Sequence, residues 1–252
     1  MIEQVPASFQ GSPLGVPGDE DSTARAVRNM FAAVAPRYDF LNHLLSLGRD
    51  IAWRRATAKA LREALERPGS LALDLCCGTG DLALALAHVS RGKVMGADFC
   101  HPMLLRAHAK AASRSRPVFF FEADALRLPC RDDSLDALTV AFGFRNLANY
   151  TRGLEEMRRV LKPGGLVAIL EFSRVRGRGF GALFRVYFRR ILPRLGTWIS
   201  GVRGPYQYLC YSAWRFPDQE ELAAALRESG FENVRHRNFT GGVAALHIGQ
   251  KA

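Results

Sequence analysis

Hydrophobic and polar positions change rhythm twice along the chain. Residues 1–22 are rich in Pro, Gly and Ser and lack periodic apolar positions, which predicts a flexible tail. Apolar residues then recur at helical spacing over residues 24–34, 38–47 and 51–65, and Pro68-Gly69 ends that block. From Leu71 onward, short apolar runs bounded by turn residues alternate with helical stretches. Strands are expected over residues 71–75, 93–98, 118–123, 135–142 and 166–172, with helices over 101–112 and 150–161, the latter stopped by Pro163-Gly164-Gly165. A helix over 218–228 and two strands, 233–239 and 243–248, follow, and the short Thr240-Gly241-Gly242 link makes those strands an antiparallel pair. The expected fold is α/β: a doubly wound, mostly parallel seven-stranded sheet with an antiparallel C-terminal strand, N-terminal helices and a helical lid insertion over residues 174–215. One domain spans residues 23–252 in this reading.

The stretch Leu71 to Asp81, LALDLCCGTGD, organises the rest. A buried strand runs into a tight turn at Gly78 and Gly80 and then into a helix, which brings backbone N–H groups close to a ligand. Asp98 ends the next apolar run, at a spacing that suits a carboxylate bonding the two hydroxyls of a ribose. Asp124 follows the third strand, where it can accept from an adenine amino group, and Ala125 leaves room for a flat ring. The Gly78-x-Gly80-x-x-Ala83 spacing also fits a dinucleotide fingerprint, so the turn alone does not fix the nucleotide. Phe142-Gly143-Phe144-Arg145-Asn146 adds a small turn, a cation and an amide at the same sheet edge. Arg145 is either a site residue or a surface cation paired toward Glu155 and Glu156. Glu171, ending the fifth strand, is assigned a structural role, and Cys76-Cys77 are expected to fill space behind the turn.

Charge alters this picture at one place. The chain carries 35 basic and 24 acidic residues, a formal net charge of +11. No Asp or Glu falls between Glu171 and Asp218, whereas that segment holds Arg174, Arg176, Arg178, Arg185, Arg189, Arg190, Arg194, Arg203 and Arg215. Nucleic acid, an acidic partner or a membrane surface would each explain such a segment. Its arginines are interleaved with Phe180, Leu183, Phe184, Val186, Tyr187, Phe188, Ile191 and Leu192 and form no nucleic-acid motif, so no nucleic acid is expected. A basic amphipathic element is expected to touch an anionic membrane through Arg185, Arg189, Arg190 and Arg194. The alternative is a lid whose arginines are simply solvated. No run reaches the ~20 apolar residues of a membrane span, and no basic start precedes an apolar stretch, so a cytoplasmic protein is expected. The five cysteines show no C-x-x-C spacing, and the histidines form no metal set. No metal is expected.

Together, the Asp-x-x-x-Gly-x-Gly pattern, Asp98 and the Asp124-Ala125 pair resemble the S-adenosylmethionine site of class I methyltransferases. Tyr38-Asp39-Phe40-Leu41-Asn42 with Ser46 and Trp53, and Arg159 to Gly165 through Glu171-Phe172-Ser173, resemble the two signatures of the ubiquinone/menaquinone biosynthesis C-methyltransferase family. The ending Gly242-Val243-Ala244-Ala245-Leu246-His247 is also similar, and the likeness runs from about residue 25 to the C-terminus. It implies S-adenosylmethionine as cofactor, held by Thr79, Asp98, Asp124 and Ala125 around the Gly78 and Gly80 turn. It also implies a polyprenylated quinol substrate near Tyr38, Arg145 and Asn146. Demethylmenaquinol is the expected ring, and the benzoquinol of ubiquinone synthesis is the alternative. Ala141 stands where many members carry a cofactor-contacting Ser, so one hydrogen bond is expected to be absent. Asp50 replaces a His of the first signature, and Cys76-Cys77 replace small residues before the glycine turn.

Overall fold

A computed structural model describes residues 11–14, 19–175, 179, 181, 184, 186–192, 194, 197–198 and 204–252. Helix α1 (Glu20–Val34) starts at the N-cap Asp19, whose side chain accepts from the Ser22 amide. The expected tail is therefore shorter than residues 1–22, because an acid-rich first turn extends the helix to Glu20. Residues 11–14 lie on the body: the Ser12 amide donates to the Leu147 carbonyl at 2.7 Å. Helices α2 (Tyr38–Leu45), α3 (Arg49–Ala60) and α4 (Arg62–Leu65) follow. The single helix expected over 51–65 is broken at Leu61, whose backbone leaves helical geometry.

The sheet contains β1 (Leu71–Leu75), β2 (Lys93–Asp98), β3 (Val118–Glu122), β4 (Leu135–Ala141), β5 (Leu161–Phe172), β6 (Phe231–Phe239) and β7 (Ala244–Lys251). Its order is β3-β2-β1-β4-β5-β7-β6, with β7 antiparallel to both neighbours and the first five strands mutually parallel. Strand β5 begins five residues earlier than expected. Leu161 pairs with Leu135 and Leu166 with Ala137, so Pro163-Gly164-Gly165 forms an irregularity inside the strand rather than preceding it.

Helices cover both faces, which is why the parallel strands read as continuous apolar runs. On one face, Ala72, Val94, Phe120 and Ala168 pack with α3, with α5 (Asp81–Val89) and with α6 (His101–Ala112). On the other, Leu73, Leu75, Leu138 and Ile169 pack with α7 (Tyr150–Val160) and a C-terminal helix, Gln219–Glu228. Asp74 points to the first face and meets Thr139 across the β1–β4 pair, the Thr139 hydroxyl donating to Oδ1 at 2.8 Å. The chain leaves β1 in opposite directions, toward β2 and β3 on one side and β4 on the other. The crevice beyond the carboxyl ends of β1 and β4 is thus the switch point where such sheets bind ligands.

The insertion contributes a π-helical turn, Tyr187–Ile191, and α8 (Pro205–Arg215), which places the C-terminal helix as α9. Phe188 and Leu192 pack with Leu41 of α2 and with Tyr206 and Ala213 of α8. Arg190 and Arg194 are exposed, whereas Arg185 and the Arg189 side chain lie outside the described residues, as do Arg176, Arg178 and Arg203. Among the described residues, no helix is long and apolar enough to cross a membrane, and no group of His, Cys, Asp and Glu could hold a metal ion.

Candidate active site

The switch-point crevice is a cleft lined by Tyr38, Gly78, Asp98, Asp124, Ala125, Ala141 and Asn146, with Cys76, Phe142 and Gly143 along one wall and α1 contributing Phe31. Left-handed backbone at the strand ends shapes it. Gly78 and Gly80 take positive φ, and so do Cys76 (53°) and Phe142 (59°), an unusual conformation for side chains of that size. A Cβ at Gly143 would lie 2.4 Å from that of Cys76, so glycine is required for the β4 loop to approach the β1 turn. At Gly80 a Cβ would come within 2.9 Å of the Phe120 ring. Cys77 packs in the core behind the turn, and Cys76 packs against the core of the other face while also lining the cleft.

Asp98 is buried at the floor. Its Oδ2 accepts from the Gly78 amide at 2.8 Å and its Oδ1 from the Cys100 amide at 2.9 Å. Burial pushes its pKa up to about 6 against the pull of those backbone donors. Both oxygens keep a second lone pair, so the carboxylate is held in place and still able to accept from a diol. Asp124 is exposed at the rim, where its Oδ1 accepts from the Leu126 amide at 2.9 Å, and Ala125 is buried beside it. Ala141 lines the wall with a methyl group and supplies no side-chain hydrogen bond.

Thr79 does not line this cleft. Its hydroxyl donates to Asp39 Oδ1 at 2.5 Å and accepts from Lys110 Nζ at 2.9 Å. Lys110 also reaches Asp39 Oδ2 at 2.7 Å and Asp81 Oδ1 at 2.5 Å. Those bonds tie α2, the glycine turn and α6 together.

Tyr38, at the first turn of α2, presents its ring to the cleft, and a Cβ at Gly78 would lie 3.9 Å from its Cε1. Burial raises its pKa, while Arg54, Arg145 and a hydrogen bond with Asn42 act in the opposite sense, so the phenol is neutral and able to donate. Asn146 Oδ1 accepts from the Tyr208 hydroxyl at 2.9 Å, and that hydroxyl also bonds Ser12 Oγ at 2.9 Å. The segment around Ser12 and helix α8 thereby close one side of the cleft.

Arg145 is neither at the cleft surface nor paired toward Glu155 and Glu156. Glu156 is taken by Arg159. Arg145 is buried behind the Phe142–Gly143 wall, its Nη1 donating to Glu171 Oε1 at 2.8 Å and to the Phe142 carbonyl at 2.5 Å. Its guanidinium also lies over the Phe172 ring, 5.3 Å from the centroid. Burial opposes its charge, but the Glu171 carboxylate, its hydrogen bond and the nearby Tyr208 and Tyr38 together hold its pKa above the usual value. Glu171 has the structural role expected of it: besides the ion pair, it accepts from the Phe172 amide at 2.8 Å.

Sequence reasoning missed Arg54, a second buried cation. It pairs with Asp50 one helical turn earlier and lies over the Phe142 ring, 5.3 Å from the centroid. It shares a small recess with Tyr38, Asp74 and Gly78. The Asp50-x-x-x-Arg54 spacing was the available signal. Asp74, beside this recess, is 1% exposed, and its Oδ2 has no hydrogen-bond partner among the described residues. Burial pushes its pKa up to about 7 despite the Thr139 bond.

This geometry fits a nucleoside whose ribose meets Asp98, with a second reactant between Tyr38 and Asn146. Residues 19–251 match the ubiE/COQ5 methyltransferase family. A demethylmenaquinone methyltransferase of Deinococcus radiodurans is 47% identical over 235 residues, covering 93% of this chain and 96% of that protein. The demethylmenaquinone methyltransferase of Thermus thermophilus is 50% identical over 223 residues, covering 88% of this chain and all of that protein. The crystal structure of a SAM-dependent methyltransferase from Aquifex aeolicus superposes with a TM-score of 0.57 at 21% identity, over 78% of this chain and 89% of that one, a likeness of fold.

Proposed function

Because the chain belongs to the ubiE/COQ5 methyltransferase family, we propose that its cleft binds S-adenosylmethionine and methylates a ring carbon of a polyprenylated quinol in menaquinone biosynthesis. Demethylmenaquinol is the substrate, as the names of the relatives suggest. The observation that carries the reading is Asp98, held by the Gly78 and Cys100 amides on a cleft floor shared with Tyr38 and Asn146.

S-adenosylmethionine, when bound, supplies an electrophilic methyl group. Asp98 accepts from the ribose hydroxyls, Asp124 from the adenine amino group, and Ala125 leaves space for the ring. Gly78 admits the methionine portion along the backbone, Gly80, which does not line the cleft, lets the turn pack on Phe120, and Thr79 holds that turn through Asp39 and Lys110. The Ala141 wall offers one hydrogen bond fewer than a serine would.

The quinol must offer a carbon nucleophile, and loss of a phenolic proton moves electron density onto the ortho carbon. Tyr38, a neutral donor, and Asn146 orient the ring hydroxyls. Arg145 and Arg54 act through their field, since both are buried cations near Tyr38 and favour a developing phenolate. The chain works as one domain, with the 174–215 segment as a lid. The lid touches an anionic membrane through Arg185, Arg189, Arg190 and Arg194, where a water-insoluble polyprenyl tail must be collected.

Purified protein given demethylmenaquinol and methyl-labelled S-adenosylmethionine under reducing conditions is expected to yield labelled menaquinone, whereas the oxidised quinone is expected to remain unlabelled. A folded protein that transfers no label to the quinol would sink the proposal. Preference for a 2-polyprenyl-6-methoxy-benzoquinol would move the chain to the ubiquinone branch.

A further inference from the structure

The outer side of α2 and α3 carries a stripe of apolar residues that nothing among the described residues covers. Phe40 (61% exposed) and Leu44 (40%) lie one turn apart on α2, Leu47 (84%) occupies the turn between the two helices, and Ile51 (37%) stands in the first turn of α3. In a core such residues would be buried, whereas here the inner side of α2 already buries Leu41 against Phe188 and Leu192. The tip of the stripe is the most telling position. Leu47 occupies a left-handed conformation with φ 53°, followed by Gly48 at φ 71°. Asparagine or glycine would suit that backbone better, and neither would expose a large aliphatic side chain.

The charges around the stripe are sorted by sign. Its two acids are turned inward: Asp39 bonds Thr79 and Lys110, and Asp50 bonds His43 at 2.8 Å, Ser46 at 2.6 Å and Arg54. Arg49, Arg55 and Lys59 remain exposed. Ile51 also lines a broad groove with Arg55, His88, Arg114 and Arg116, whose one acid, Asp81, is bonded to Lys110. Among the described residues no acid pairs with Arg55 or Arg114.

We infer that the α2–α3 face is a docking surface for an anionic phospholipid bilayer, with Leu47 and Phe40 entering the interfacial layer and the Arg55–Arg114 groove receiving headgroup phosphates. Apolar residues bordered by unpaired cations, with every nearby acid neutralised internally, are complementary to acyl chains beneath a negative surface. A protein partner with an acidic rim would not require a strained leucine at the tip. The surface is distinct from the arginines of the lid, although Leu41 joins α2 to that segment. It deepens the quinol reading, since Tyr38 begins the helix that carries the stripe, but its test requires neither quinol nor cofactor.

Vesicles of phosphatidylcholine, with and without phosphatidylglycerol, are the probes, and cosedimentation is the readout. Wild type is expected to bind the anionic vesicles and to be released by salt. Phe40→Gln/Leu47→Asn is expected to lose about tenfold in partitioning, with the remaining binding wholly salt-sensitive. Arg55→Gln/Arg114→Gln is expected to lose a similar factor, with the remainder less salt-sensitive than that of wild type, because the lid arginines still contribute. Asparagine at position 47 relaxes the backbone, so loss of binding by that variant cannot be ascribed to unfolding. All variants are expected to turn over a short-tailed soluble quinol like wild type, a measurement that reports separately on the proposed activity. Undiminished vesicle binding by both folded variants overturns the inference. So does a change from dimer to monomer with vesicle binding intact, which would assign the stripe to a second copy of the chain.

Discussion

Arg145 and Glu171 form a buried ion pair directly behind the wall of the cleft. Nη1 lies 2.8 Å and 3.0 Å from the two carboxylate oxygens, while Nε has no partner. The pair joins the loop after β4 to the end of β5, so it fixes the wall that carries Phe142 and Asn146. Removing one partner strands a buried charge. Glu171→Ala is expected to lower unfolding free energy by about 3–5 kcal/mol, read by urea denaturation. Arg145→Gln/Glu171→Gln removes both charges and is expected to cost less than that. The double variant should bind S-adenosylhomocysteine yet turn over more slowly, because Tyr38 loses the Arg145 part of the field and keeps only that of Arg54. Normal turnover would reduce the pair to a structural strut.

Asp98 gives cofactor binding a pH dependence. Its folded pKa of about 6 is above the ordinary carboxylate value because of burial. The unliganded fold therefore binds more protons than the unfolded chain between about pH 4 and 6, and this group's contribution to stability declines as pH rises through that window. Ligand binding runs the other way, because only the carboxylate accepts from both ribose hydroxyls. Affinity for S-adenosylhomocysteine, measured by titration calorimetry, is expected to fall about tenfold from pH 7.5 to 5 and to be flat above 7. Asp98→Asn should bind weakly throughout and show no step.

Asp74 predicts a slope in stability rather than in binding. Its carboxyl is buried with Oδ2 unpartnered among the described residues and its pKa pushed up to about 7. Protonation favours the folded state, so stability declines as pH rises from about 4 to 7, by a contribution on the order of 2–4 kcal/mol. Asp74→Asn keeps an acceptor for Thr139 and removes the charge. Denaturation across that pH range should show a flatter profile for the variant, and parallel profiles would mean that Asp74 is ionised and solvated from within.

What could be read from the sequence was local in origin. Gly78, Gly80 and Asp98 sit at strand ends, and the strand pattern alone puts them on one sheet edge. The β6–β7 pairing was legible because Thr240-Gly241-Gly242 is too short for a crossover. Arg145 was legible as a charge near the site but not as a buried one, since only β5 packing brings Glu171 beneath it. Lys110, and the burial of Arg54 beyond its Asp50-x-x-x-Arg54 spacing, were illegible for a related reason. Both lie on helical faces that look solvated until α2 folds over the glycine turn. Ser12 was read as part of a tail, and its bond to Tyr208 spans 196 residues of chain, a separation that periodicity cannot reveal.

Lys110 yields the last prediction. It bonds Asp39 of α2, Asp81 at the start of α5 and the Thr79 hydroxyl, so one ammonium holds the α2 helix on the cofactor turn. These groups are partly exposed, and an isolated pair there would contribute about 0–1 kcal/mol to stability. The larger effect is positional. Without Lys110, Asp39 and Asp81 repel each other across the turn, α2 lifts, and Tyr38 leaves the cleft with it. Lys110→Met is expected to raise the KM for S-adenosylmethionine several-fold and lower kcat, with little change in melting temperature. Asp39→Asn removes that repulsion, so in Lys110→Met/Asp39→Asn the losses should be less than additive, with a coupling of about 1 kcal/mol from the kcat/KM values. Strict additivity in that double-mutant cycle would show that the two residues act independently and that no latch joins α2 to the cofactor turn.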